Sequence, residues 1–187
     1  MGRNALIIGA ALAAMLAAPA SAAVTVLGQG AANQCSAAAL AGDATDEDLA
    51  ICNQALLEVV TDLDKAGTYV NRGVILLRRK NFAAARADFE TAEKIVPTMG
   101  EAVVNRGASF VAERRYLEGL TEIDRGLSMN PEEPEKAYFN RALANEGLDD
   151  MKAAYLDYMK ALELAPNWEA PRHELSRFTV ENPNAPR

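Results

Sequence analysis

Val70-Asn71-Arg72-Gly73 reads VNRG, and the same four letters return at Val104-Asn105-Arg106-Gly107, 34 residues later. An edited copy, FNRA, stands at Phe139-Asn140-Arg141-Ala142, 35 residues further on. A word that recurs at this distance marks a chain built of stacked helical units. Counting from Gly73, a small residue, a large apolar one, a small one and a proline follow as Ala85, Phe89, Ala92 and Pro97. The same offsets from Gly107 give Gly119, Ile123, Gly126 and Pro131, and from Ala142 they give Ala154, Tyr158, Ala161 and Pro166. Small residues stand where two antiparallel helices approach closely. Each proline stands where the second helix must stop, because it has no N–H and disfavours helix in the residue before it. The pattern predicts helix pairs at 66–79 with 82–95, 100–113 with 116–129, and 135–147 with 151–164. One such hairpin cannot bury its apolar face alone, and stacked neighbours do so.

These residues resemble the tetratricopeptide repeat, and the chain as a whole resembles an exported bacterial member of that family. Tyr69, Gly73, Phe82, Ala85, Phe89, Ala92 and Pro97 follow the family pattern closely. The second copy lacks the first aromatic, at Val103, and the third has Asn145 in place of the mid-helix aromatic. The resemblance implies an all-α, right-handed superhelical solenoid of three tetratricopeptide helix hairpins (66–99, 100–134 and 135–166) with helical caps at both ends. It also implies a concave groove lined by the first helices. Val70, Asn71, Val74 and Leu77 from the first repeat, Val104, Asn105 and Val111 from the second, and Lys136, Phe139, Asn140 and Leu143 from the third are the expected partner-binding residues. Its floor is apolar and suits a peptide or protein guest. In related superhelical repeats Asn at this position holds peptide backbone, and an Asn side chain offers donors and an acceptor for that purpose. The alternative is that Asn71, Asn105 and Asn140 each bond a neighbouring helix. Some family members clamp a carboxylate with a set of Lys, Asn and Arg. Asn105 and Lys136 match that set, whereas Val70, Val74 and Asn140 do not, so no such clamp is expected.

Arg72, Arg106 and Arg141 depart from the family, which has Leu here. An acid lies 16 residues after each: Asp88, Glu122 and Asp157. The constant offset predicts structural ion pairs bracing the hairpins, the alternative being a basic row facing a ligand. Gly119 and Gly126 occupy positions where Ala should suffice, and Gly in a helix interior costs about 1 kcal/mol relative to Ala. Helix 116–129 is therefore expected to be the weakest.

The chain begins with Met1-Gly2-Arg3-Asn4, an apolar run from Ala5 to Ala18, Pro19, and the small residues Ala20-Ser21-Ala22. That is the three-part pattern of a secretory signal peptide, residues 1–22, expected to be cut before Ala23 and to stand outside the fold. The run is shorter than the roughly 20 residues a spanning helix needs, so no membrane insertion is expected after cleavage. The protein is then exported, to the periplasm or the medium. There Cys35 and Cys52 meet oxidising conditions and are expected to form a disulfide rather than two free thiols. Residues 23–65 read as N-terminal capping helices, Ala31–Ala41 and a second from Thr45 to Lys65. Residues 167–187 read as a capping helix, Asn167–Val180, and a disordered tail.

A formal net charge of −7 without a basic run argues against nucleic acid and anionic membrane as partners. No zinc-type cluster, phosphate loop or nucleophile elbow appears, and His173 is the one histidine. No cofactor is expected. The function these observations predict is a non-catalytic interaction scaffold holding a peptide or protein in its groove. The alternative is a structural subunit using the same surface to form a homodimer or dock in an envelope complex.

Overall fold

The computed structural model describes residues 6–10, 17–26, 30–59 and 61–181. Helices α1 (Ala31–Ala41) and α2 (Asp46–Glu58) form a first hairpin. The repeats follow as α3 (Asp62–Arg78) with α4 (Phe82–Ile95), α5 (Gly100–Ala112) with α6 (Tyr116–Leu127), and α7 (Pro134–Gly147) with α8 (Met151–Leu164). A short α9 (Glu169–Leu175) closes the far end. Two strands, β1 (Leu6–Ala10) and β2 (Phe178–Glu181), pair antiparallel. Among the described residues the molecule is an all-α solenoid of helix hairpins carrying this one small ribbon.

The repeat word sits inside each hairpin. A Cβ on Gly73 would lie 2.5 Å from the ring of Phe89, which is fully buried. In the second hairpin Gly107 faces Ile123 at 2.6 Å in the same way. Burying each such side chain contributes about 1.5–3 kcal/mol. Each first helix ends at a turn with one non-glycine residue in the left-handed region: Lys80 (φ 59°), Arg114 (φ 62°) and Asp149 (φ 65°).

Gly119 and Gly126 overturn one expectation. A Cβ on Gly119 would come within 2.6 Å of Val111 Cγ2 and 3.1 Å of the Gly107 carbonyl. On Gly126 it would meet Val104 Cγ2 at 2.6 Å and the Val104 nitrogen at 3.0 Å. Ala does not suffice at either position, because α5 and α6 approach backbone to backbone there. The glycines permit a close, backbone-to-backbone pairing of α5 and α6, not a slack one.

The caps also differ from the sequence expectation. The stretch 45–65 is two helices rather than one. Thr45 caps α2 through a reciprocal pair with Asp48. Thr61 then opens α3, its hydroxyl accepting from the Asp64 N–H at 3.0 Å. A Thr followed three residues later by Asp is an N-terminal signature, and this second one starts the first repeat helix at Asp62. Cys35 and Cys52 are bonded and tie α1 to α2. At the other end the helix stops at Leu175 instead of reaching Val180. Phe178, Thr179 and Val180 are strand formers, and they pair with Ala10, Ile8 and Ile7. The disordered tail expected after them lies outside the described residues, as do residues 1–5 and 11–16.

The segment expected to stand outside the fold is the largest departure, because its described parts pack against the solenoid. Leu6–Ala10 pairs with β2, and residues 17–22 run into the concave face of the solenoid. Among the described residues no helix is long and apolar enough to cross a membrane.

Candidate peptide-binding groove

Asn71, Asn105 and Asn140 lie on α3, α5 and α7, one per repeat, and all are fully buried. Each grips one residue of an extended segment of the same chain by both backbone groups. The Ala20 N–H donates to Asn140 Oδ1 at 2.8 Å, and Asn140 Nδ2 donates to the Ala20 carbonyl at 2.7 Å. Ala22 is held by Asn105 in the same manner at 3.0 and 2.7 Å. Val24 is held by Asn71 at 2.8 Å in both directions. The rungs fall on alternate residues, so one repeat advances the strand by two residues, or about 7 Å at the usual rise of an extended chain. The strand runs from the third repeat toward the first.

The bonds involve no side chain of the held segment. They therefore select an extended backbone and not a sequence. Each net contribution is about 0.5–1.5 kcal/mol, while stripping an Asn away leaves a buried N–H and C=O unpaired at about 1–3 kcal/mol each. The room for the segment comes from small residues. A Cβ on Gly67 would stand 3.1 Å from Val26 and 3.2 Å from Val24. Ser36 on α1 adds a further bond, its hydroxyl donating to the Val24 carbonyl at 2.9 Å.

The other expected groove residues divide. Val70, Val74 and Phe139 are buried. Val104 and Val111 also press on Gly126 and Gly119, so they belong to the seam between α5 and α6 as much as to the floor. Leu77, Val111 and Leu143 line a cavity beside the held segment. Lys136 pairs with Glu133 at 2.6 Å and is not part of the ladder. Phe139 stacks on Trp168 from the far cap, ring centroids 4.9 Å apart.

The arginines point away from the ladder. Arg72 binds Asp88 in a fork, Nε to Oδ2 at 2.8 Å and Nη2 to Oδ1 at 2.7 Å. Arg141 does the same with Asp157 at 2.9 and 2.7 Å. Arg106 reaches Glu122 Oε2 through Nη2 at 2.8 Å. Each arginine also sends Nη1 back to the preceding hairpin: Arg72 to Asn53 of α2, Arg106 to Glu93 of α4, and Arg141 to Asp124 of α6. So one guanidinium joins two helices of its own repeat and fastens that repeat to the previous one. Planar forks of this kind fix orientation. The repeat offset of 16 residues pointed to the first contact. The second has no constant offset, so the sequence offered no signal for it.

Sequence reasoning also missed the occupant. Ala20, Ala22 and Val24 read only as a cleavage region and its sequel. Their small size at alternate positions, next to a ladder with one Asn per repeat, was the available clue. Among the described residues no group of His, Cys, Asp and Glu is placed to hold a metal ion.

Helix hairpins at a 34–35-residue period, stacked around a concave groove, form an all-α solenoid similar to that of tetratricopeptide repeats. The comparisons with known proteins agree. Residues 135–167 match the family model described as tetratricopeptide repeat. Over 110 residues the chain is 27% identical to Hsp70-Hsp90 organizing protein 2 of Arabidopsis thaliana. That match covers 59% of this chain and 19% of the relative's length. Among solved structures the chain is similar to the Arabidopsis OM64 TPR domain, with a TM-score of 0.57 and 20% identity over 63% of this chain and 96% of that one.

Proposed function

We propose that the protein is a non-catalytic interaction scaffold that holds a polypeptide in extended form along its concave groove. One observation carries this: three buried Asn side chains, one per repeat, each bind the N–H and C=O of one residue, on alternate residues of a strand. A ladder with complementary donors and acceptors has no evident use except to hold backbone. The present occupant is the chain's own segment around the expected cleavage point. Cleavage before Ala23 on export leaves Val24 on Asn71 and frees the rungs at Asn105 and Asn140 for a partner. The relative's name speaks of organising two chaperones, and the general role of bringing polypeptides together suits this reading. The clamp residues that would bind an acidic chaperone tail are missing at Val70, Val74 and Asn140.

The test is a synthetic peptide of residues 17–26 titrated onto a chain that begins at Ala23, followed by fluorescence anisotropy. Binding that falls by at least about tenfold per Asn→Ala change, roughly 1.4 kcal/mol, at Asn105 or Asn140 is expected. Equal binding by the double variant would remove the ladder from the function.

A further inference from the structure

Helix α1 is weakly secured apart from one covalent bond. It is 11 residues long, opens on Gly30 without a side-chain cap, and has no acid in its first turn and no base in its last. A helix this short is marginal by itself in water. The residues it buries are Ala32, Cys35, Ser36 and Ala39, all small, while its one leucine, Leu40, is 56% exposed. Its neighbour α2 is better fastened. Thr45 and Asp48 cap it, Asp46 pairs with Arg79 at 2.6 Å, and Asn53 accepts from Arg72 at 2.7 Å. The Cys35–Cys52 bond ties α1 to this secured helix. Arg78 of α3 adds a hydrogen bond at 2.5 Å to the Ala39 carbonyl, one of those a helix leaves open at its C-terminal end.

What α1 covers is the first-repeat end of the ladder. Val24 is held from both helices: Asn71 of α3 binds its N–H and carbonyl, and Ser36 of α1 bonds the same carbonyl. Val26 is 2% exposed and lies in one core cluster with Cys35, Ala39 and Cys52. Both cysteines are fully buried, so a thiol reaches their bond only when α1 opens locally. The small side chains on α1 make that opening inexpensive, because little apolar surface is exposed by it.

Resting on the ladder reading above, we propose that Cys35–Cys52 is a thiol–disulfide exchange site that latches α1 as a lid over the Asn71 rung, and that a dithiol is the reactant that opens it. One thiolate of the dithiol attacks the sulfur of either cysteine. A mixed disulfide forms, the Cys35–Cys52 bond breaks, and the other cysteine leaves as a thiolate and takes a proton. The second thiol of the reactant then loses its proton and attacks the first, so the remaining cysteine also leaves and is protonated. Two electrons and two protons pass to the chain, and the reactant departs as its own disulfide. With the latch open, α1 leaves α3, the Val24 carbonyl loses Ser36, and residues 24–26 lose their cover. Oxidation closes the lid again.

The test compares the full chain with and without dithiothreitol, a small dithiol. Thiol alkylation and mass report the state of the disulfide, and amide exchange is followed by NMR. Reduction should speed exchange at Val24 and along α1 by at least about tenfold, and at Ala20, on the distant Asn140 rung, by less than about threefold. The double variant Cys35→Ser with Cys52→Ser should show the reduced pattern without any reductant. Equal protection of Val24 in both forms overturns the latch while leaving the ladder intact. Absence of protection at Val24 in the oxidised chain overturns the ladder, and the gate falls with it. Protection lost throughout α5–α8 on reduction would make the bond a support of the whole fold and overturn the local lid. A disulfide that dithiothreitol does not open while the helices stay protected overturns the exchange site.

Discussion

Arg141 holds Asp157 in a two-pronged fork, and its third nitrogen reaches Asp124 on the preceding hairpin at 2.8 Å. The two contacts differ in setting. The Asp157 side chain is 9% exposed and also accepts from Asn145 at 3.0 Å, whereas the Asp124 side chain is 53% exposed. Breaking a buried pair from one side costs about 3–5 kcal/mol, while an exposed pair is worth at most about 1 kcal/mol. Arg141→Met should therefore lower the unfolding free energy by about 3 kcal/mol. Asp124→Asn should lower it by less than about 1 kcal/mol. Urea denaturation of both variants checks the ordering.

Gly119→Ala and Gly126→Ala should destabilise the protein, although Ala is the better helix former by about 1 kcal/mol. The added methyl meets Val111 or Val104 and helix backbone at 2.6–3.2 Å. Overpacking of this kind costs about 1–3 kcal/mol, which exceeds the propensity gain. A thermal midpoint that rises in either variant would contradict the tight pairing of α5 and α6.

The turn residue Asp149 makes the opposite case. Its φ of 65° is left-handed, a region that a β-carbon disfavours. Asp149→Gly relieves a backbone penalty of about 1–2 kcal/mol against a chain-entropy cost of about 0.5–1 kcal/mol. A net gain of up to about 1.5 kcal/mol in urea denaturation is expected.

Acid should weaken the junction between the first two repeats through Glu93. Its hydrogen bond from Arg125, helped by the Arg106 charge, holds its carboxyl below the ordinary 4.5. A depressed folded-state pKa stabilises the protein above the unfolded value, and that stability is lost as pH falls through the folded one. The loss therefore starts near pH 4.5 and proceeds downward. Glu93→Gln should be less stable than wild type at neutral pH and should show a flatter stability profile below pH 4.5, measured by denaturant titration at several pH values.

Much of the fold was legible because the repeat constraints are local. A Gly or Ala facing a large side chain, and a Pro at each stop, bound the helices to within a few residues. The errors fell where contacts are not periodic. The apolar spacing of 45–65 runs on past the end of α2 at Glu58, whereas the second Thr-x-x-Asp, Thr61 to Asp64, is the cue for a new helix from Asp62. Propensity alone marks the glycines of α6 as weak points, while the approach of α5 to α6 decides their role. At the groove, the Asn positions are a repeat feature and could be seen in sequence. The segment seated on them comes from 47 to 120 residues away, and no spacing rule connects Val24 with Asn71 or Ala20 with Asn140.

The ladder itself is tested most directly by residue-resolved amide exchange across residues 19–25 of the intact chain. An alternating pattern is predicted: slow at Ala20, Ala22 and Val24, whose N–H groups are held by Asn140, Asn105 and Asn71, and fast at Ser21 and Ala23. Changing the three Asn residues to Ala should erase the alternation while the helices stay protected. Uniformly fast exchange along the segment, or an alternation that survives the triple change, would contradict a backbone-holding groove.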